Sequence, residues 1–227
     1  MPTSDALRPD DPRSRAARTK RDRTRRALLD AADTVFGSQG WAHSRMEDIA
    51  QSANVSAATA YNHFPTKHAL LGQVYAPIVH PLVVQARHDI ANQRPVIDAL
   101  TDQVRALCRL SARNRALTSA FWAAAVEYTI KVGGPPDPTD DNDPRTLAPI
   151  PDSLKILIEH GQRTGQLRRY PPAIEISGLL INILLGRAVN RPHEDQDTTA
   201  ELLLTVMFGA LCPELVNRAE RPFCVAG

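Results

Sequence analysis

The 227-residue chain is short of cysteine, aromatics and long apolar runs, and each shortage excludes something. Cys108, Cys212 and Cys224 are too few and too scattered for a disulfide framework or a paired-cysteine metal site. A reducing compartment, the cytoplasm, is therefore expected. Aromatics are 5% of residues, too few to promise an aromatic cage around a cation. The longest strongly apolar stretch, 176–186, falls short of the roughly 20 residues of a spanning helix, so no membrane partner is expected. Before Leu28 almost the only large apolar side chain is Leu7, which leaves no signal-peptide core, and Asp5, Asp10 and Asp11 argue against an acid-poor transit segment. The 11 glycines are dispersed and form no phosphate-cradling loop. Nucleophile-elbow and zinc-protease patterns are also missing, so neither an enzyme nor a cofactor is expected. His80 and His88 lack i,i+4 spacing and carboxylate company, and no metal site is expected.

What is present is a sufficient core composition, 43% apolar with 23% charged residues, and a strongly uneven charge. The formal net charge is only +2. Between Arg13 and Arg26, however, eight basic residues face a single acid, Asp22, giving +7 in 14 residues, whereas beyond Ala76 there are 16 basic and 17 acidic residues. Charge of one sign is concentrated at one end of the chain, where it suits a polyanion.

Apolar spacing reads as helix throughout, with no convincing period-two segment. Residues 1 to about 20, with Pro2, Pro9 and Pro12 and almost no large apolar residue, read as disordered. From Thr24, the positions Leu28, Leu29, Ala32, Val35 and Phe36 predict a helix that stops at Gly37 to Gly40. Ser44-Arg45-Met46-Glu47 fits a capping box opening a second, short helix to Ala53. Asn54 suits a tight left-handed turn. Ser56 caps a third helix over 57–63, and Thr66 a fourth whose inner stripe is Leu70, Leu71, Val74 and Tyr75. Pro77 and Pro81 are expected to kink that fourth helix. Further helices are expected at 95–113, 114–131, 152–164, 172–190 and 198–211. Between them, 133–151 holds six prolines and four aspartates and reads as a break too polar to pack. The stretch 174–185 is apolar on more than one face, so its helix is either central or shared with another subunit.

A longer helix followed by two short ones joined by a tight turn describes a helix-turn-helix, whose last helix must project into a major groove about 12 Å wide. The run Met46-Glu47-Asp48-Ile49-Ala50, followed by Val55-Ser56, Thr59, Tyr61, His63-Phe64-Pro65 and Lys67, Leu70 and Leu71, resembles the DNA-binding domain of the TetR family of transcriptional regulators. The likeness covers residues 24 to 75; beyond it only the helix pattern is similar. Two positions depart from the family pattern: Asn54 stands where glycine is usual, and Ala60 where leucine is frequent.

The resemblance implies an all-α chain with a three-helix DNA-binding domain and a helical ligand-binding and dimerisation domain. The expected division is a flexible basic arm at 1–23, the helix-turn-helix domain at 24–68, the ligand and dimer domain at 69–215, and a tail at 216–227 that includes Cys224. It also implies that Ala57, Ala58 and Asn62 face bases, while Thr59, Tyr61, His63 and Lys67 approach the DNA backbone, with Arg45 a further contact. Alanine can meet a thymine methyl and asparagine can pair with adenine. Arg18, Lys20, Arg21 and Arg23 could reach an adjacent minor groove. Phe121, Trp122 and Tyr128 are candidate pocket residues, although aromatics at helical spacing are more often core. Glu127 and Arg109 read as surface charges, and Cys108 as core. Leu180, Ile183, Leu184, Leu203 and Met207 are the expected dimer interface. The implied partners are a palindromic double-stranded DNA operator, an unknown small-molecule effector and a second copy of the chain. The rival reading is a structural DNA-coating protein with no small-molecule ligand, which would have no need of a large helical second domain.

Overall fold

A computed structural model describes residues 12–212. Among them are ten helices and no strand: α1 (Pro12–His43), α2 (Met46–Ser52), α3 (Ala57–His63), α4 (Lys67–Ala91), α5 (Val96–Arg113), α6 (Arg115–Val132), α7 (Pro144–Leu147), α8 (Asp152–Thr164), α9 (Ala173–Asn190) and α10 (Gln196–Leu211). Cys224 and the expected tail lie outside the described residues.

The first helix differs from expectation at both ends. The expected flexible arm is helical from Pro12, so that α1 carries the basic segment as its first turns. Proline is well placed at the first helical position, and arginine, alanine and lysine are strong helix formers that need no apolar partner. From Leu28 onward α1 buries Ala31, Ala32, Val35 and Phe36. Gly37 does not stop it; the break falls at Gly40 (φ 71°, ψ −179°), a conformation glycine adopts without Cβ cost, after which the chain turns once more to His43. The capping box also fails. Arg45 occupies the N-cap of α2 without a side-chain bond, because the Ser44 hydroxyl donates back to the Gly40 carbonyl at 2.5 Å. Tertiary closure of the α1 end outcompetes the local cap.

The other start signals hold. Ser56 Oγ accepts from the Thr59 amide at 3.2 Å, and Thr66 Oγ1 from the Ala69 amide at 3.0 Å. Asn54 takes the left-handed turn at φ 55°. Ala60, the second departure from the family pattern, is fully buried. The α2–turn–α3 unit is held by Ile49, Ala50 and Phe64 against α1.

α4 runs uninterrupted through Pro77 and Pro81, and its buried face includes Leu70, Leu71, Val74 and Tyr75. It packs on α1, α5, α6, α7 and α8, forming the spine of the molecule. By length and composition α4 and α9 could each cross a membrane, but half of the α4 window is buried inside the fold. α5 is the most regular amphipathic helix, burying Val96, Ala99, Leu100, Val104, Leu107 and Cys108 at three-and-four spacing. Burial pushes the Cys108 thiol up to about 12, so it behaves as a small apolar group.

The proline-rich segment is not a loose break. Within it α7 forms one turn capped by Asp143, and Pro144, Ala148 and Ile150 are buried. Its polarity is internally satisfied: Asp143, only 1% exposed, pairs with Arg145 at 2.6 Å. The segment lies tightly on α4, where a Cβ at Gly72 would stand 2.8 Å from Leu147 Cβ.

Candidate nucleic-acid interface and apolar cleft

α3 presents a solvent face. Ala58, Tyr61 and Asn62 are exposed, Ala57, Thr59 and His63 half-buried, and Arg45 is exposed at the start of α2. The Tyr61 hydroxyl donates to Glu47 Oε1 at 3.3 Å, and Thr59 Oγ1 lies 2.8 Å from Ser56 Oγ, so α2 and the cap hold both side chains. Arg18, Lys20, Arg21 and Arg23 lie exposed on the first turns of α1. Burial, with Arg21 and then Arg25 nearby, lowers the His63 pKa and favours its neutral form at the end of α3. Arg25 is anchored: it donates to Gln73 Oε1 at 3.2 Å and stacks 4.4 Å from the Phe64 ring. Arg21 and Arg25 thus bring the basic side of α1 to the end of α3.

Lys67 is the exception. Its ammonium donates to the Trp41 and Ser44 carbonyls at 2.8 and 3.1 Å and lies 3.8 Å from the Trp41 ring centre. The expected backbone contact gives way to an internal one, because the broken end of α1 presents free carbonyls to the start of α4. Burial lowers the Lys67 pKa.

Around Lys67 lies a junction that distant sequence positions build. Trp41 Nε1 donates to Glu127 Oε2 at 2.8 Å. The His68 ring packs 4.6 Å from Trp41 and 5.1 Å from Tyr128. Glu127 Oε1 is 3.3 Å from His68 Nε2, in a geometry that does not close a hydrogen bond. Glu127 is thus exposed as expected, but it also bridges α6 to α1 and α4. Tyr128 is a junction residue, not a wall of the large cleft: it bonds to Asp140, which pushes its pKa up to about 12, and packs under Arg145.

The cleft, about 670 Å³, lies between α6 and α9 with residues 134–136 and 145–151 along one side. Phe121 and Trp122 line it, Phe121 being buried and stacked 4.6 Å from Tyr75. Its rim carries Ile130, Ile174 and Leu179, at 78%, 55% and 51% exposed. Arg145 and Glu175 are its charged residues, and neither stands out in the sequence because neither belongs to a local motif. The segment flanking the cleft also reaches α4: the Thr66 hydroxyl donates to Asn142 Oδ1 at 3.3 Å, three residues after α3 ends.

The expected dimer residues fare unevenly. Leu180, Leu184, Leu203 and Met207 are buried within the protomer, and Ile183 is partly buried. The protomer needs that face of α9 and α10 for its own core. The outward large apolar side chains of α9 and α10 are instead Ile174, Leu179, Val189 and Leu202.

Residues 28–74 match the family model described as bacterial regulatory proteins, tetR family. An HTH-type transcriptional regulator, BetI of Rhizobium meliloti (strain 1021), is 35% identical over 177 residues, spanning 78% of this chain and 70% of the relative. The chain belongs to the TetR family. This TetR-family chain is a DNA-binding transcriptional regulator. It is also similar to the HTH-type transcriptional repressor DhaR of Mycobacterium sp. (strain GP1), 25% identical over 85% of this chain and 94% of the relative. The fold matches the crystal structure of Thermus thermophilus FadR, a TetR-family repressor in complex with lauroyl-CoA. The TM-score is 0.64, with 22% identity, over 81% of this chain and 93% of that one. RolR in complex with resorcinol gives a TM-score of 0.57 at 22% identity, over 90% and 96% of the two chains.

Proposed function

We propose that this TetR-family regulator is a ligand-responsive repressor: a two-fold dimer bound to a palindromic operator and released when a small molecule enters the α6–α9 cleft. The observation that carries the reading is that one molecule holds both an exposed, capped recognition helix and a cleft of about 670 Å³. In this reading residues 24–68 form the DNA-binding unit and 69–215 the effector and dimer unit. Ala57, Ala58 and Asn62 meet base edges, and Arg45, Thr59, Tyr61 and His63 approach phosphates. Arg18, Lys20, Arg21 and Arg23 act from a helix, so they follow the flanking backbone rather than thread the minor groove as an extended arm. Dimer contacts use the outward Leu179, Val189 and Leu202 and the partly buried Ile183. Two recognition helices then stand one DNA turn apart, about 34–36 Å. The protein works in the cytoplasm without a catalytic step. The ligand complexes of FadR and RolR support the effector half of this reading by analogy alone.

Coupling follows from the segment shared by both sites. Residues 134–148 line the cleft through Gly134 and Arg145 and touch α4 through Asn142 and Leu147. A ligand that binds one arrangement of this segment more tightly than the other shifts the start of α4, and with it α3.

Genomic selection of bound DNA followed by footprinting tests the proposal. A single palindromic sequence, protected over two half-sites and weakened by Asn62→Ala, is expected. Uniform binding without sequence preference would instead make the chain a DNA-coating protein.

A further inference from the structure

The two charged residues of the α6–α9 cleft are in different electrostatic states. Every nitrogen of the Arg145 guanidinium is engaged. Nε lies 2.9 and 3.1 Å from the two Asp143 oxygens, and Nη2 lies 2.6 Å from one of them. Nη1 donates to Thr129 Oγ1 at 2.9 Å and to the Gly134 carbonyl at 3.0 Å. Asp143 is buried, so the pair is a neutral unit in which all three guanidinium nitrogens already donate. A carboxylate or phosphate that took Arg145 as its counter-charge would have to draw it off Asp143, whose charge would then be left buried without its ion-pair partner, which is strongly unfavourable.

Glu175 differs. It lines the same cleft from the first turn of α9, is exposed, and makes no ion pair among the described residues. The remaining walls are mostly apolar, including Ala125, Val126, Ile130 and Leu179, and Trp122 adds one indole. An indole face attracts cations and repels anions. The cleft therefore has the field of one negative charge with two aromatic residues, Phe121 and Trp122, in its lining, too few for an aromatic cage.

We propose that this cleft, read above as the effector site, takes an apolar molecule with a positively charged head and excludes carboxylates and phosphates. The assignment rests on that reading and adds the ligand class to it. Three probes that share a tail and differ in the head separate the terms: dodecyltrimethylammonium, dodecanol and dodecanoate. Each is titrated calorimetrically into the full chain below its micelle-forming concentration. The cation binds tightest, by about tenfold over dodecanoate, as expected for one partly screened charge pair. Glu175→Gln weakens the cation by about tenfold and leaves dodecanol within about twofold. Gly178→Phe, placed where a Cβ meets nothing within 4 Å, fills the cleft and abolishes binding of all three. Tightest binding of dodecanoate, or an unchanged cation affinity in Glu175→Gln, overturns the ligand class and leaves the effector site standing. Binding of no probe, or binding indifferent to Gly178→Phe, overturns the effector site itself and the ligand class with it.

Discussion

The ammonium of Lys67 donates to the Trp41 carbonyl at 2.8 Å and lies 3.8 Å from the centre of the same residue's indole. One side chain thereby closes the broken end of α1 onto the first turn of α4, with the recognition helix between them in the chain. The position of α3 is thus tied at both ends to a junction that α6 shares through Glu127 and Tyr128.

Lys67→Met keeps the aliphatic stem and removes the donor. Two charge-assisted bonds to carbonyls are lost, and a destabilisation of about 2–3 kcal/mol is expected. Urea denaturation measures it. A cost near zero would mean that water replaces the ammonium without penalty.

His68 makes the junction sensitive to acid. Burial dominates and holds its pKa below the ordinary 6.5, against Glu127 on α6 and Asp143 beyond it, which favour the charged form; Lys131 and Lys67 oppose it. Because the folded pKa is the lower one, the unfolded chain binds protons first. The contribution of His68 is full above about pH 6.5 and is lost as pH falls from there towards the folded value. Melting profiles of the wild type and His68→Asn should converge as pH drops through this window. Profiles that stay parallel would show that His68 contributes nothing to the acid response.

Gly72 gives α7 its seat. In Gly72→Ala the new Cβ would stand 2.8 Å from Leu147 Cβ and 3.1 Å from the Pro144 Cα, so backbone must yield. The expected loss is about 1–3 kcal/mol by thermal denaturation. Gly186→Ala in α9, with open space around its Cβ, should instead gain about 0.5–1 kcal/mol. Equal effects from the two changes would contradict the packing described.

Asn54 holds the turn before α3 at φ 55°. Asn54→Gly should change stability by less than about 0.5 kcal/mol, whereas Asn54→Val should cost about 1–2 kcal/mol for the left-handed conformation. Calorimetric melts of both variants decide it, and a tolerated valine would mean that the turn relaxes.

The basic start of α1 is tested by salt. On the selected operator, Arg21→Ala with Arg23→Ala should lower the slope of log affinity against log salt by about two, near 0.9 for each phosphate contact removed. Weakening should be uniform across operator variants, since phosphates carry no sequence. A slope equal to the wild type would place this part of α1 off the DNA.

Local chemistry and periodicity settle part of this protein without any distant contact. The all-helical class, the Ser56 and Thr66 caps, the Asn54 turn and the α5 stripe each depend on residues within about two helical turns, where steric and hydrogen-bond rules act without reference to the rest of the chain. Whatever required a distant partner was decided by the tertiary structure. Ser44 abandoned a good capping box because the Gly40 carbonyl lay closer, and Lys67 turned from solvent to the carbonyls at the end of α1. The proline-rich segment packed because Arg145 neutralised Asp143 and Gly72 left room for Leu147. Leu180, Leu184, Leu203 and Met207 were legible as apolar, but which apolar face the protomer consumes depends on what packs against it. Composition counts apolar surface and charge; only the folded chain assigns each group a partner, and burial makes that assignment energetically decisive.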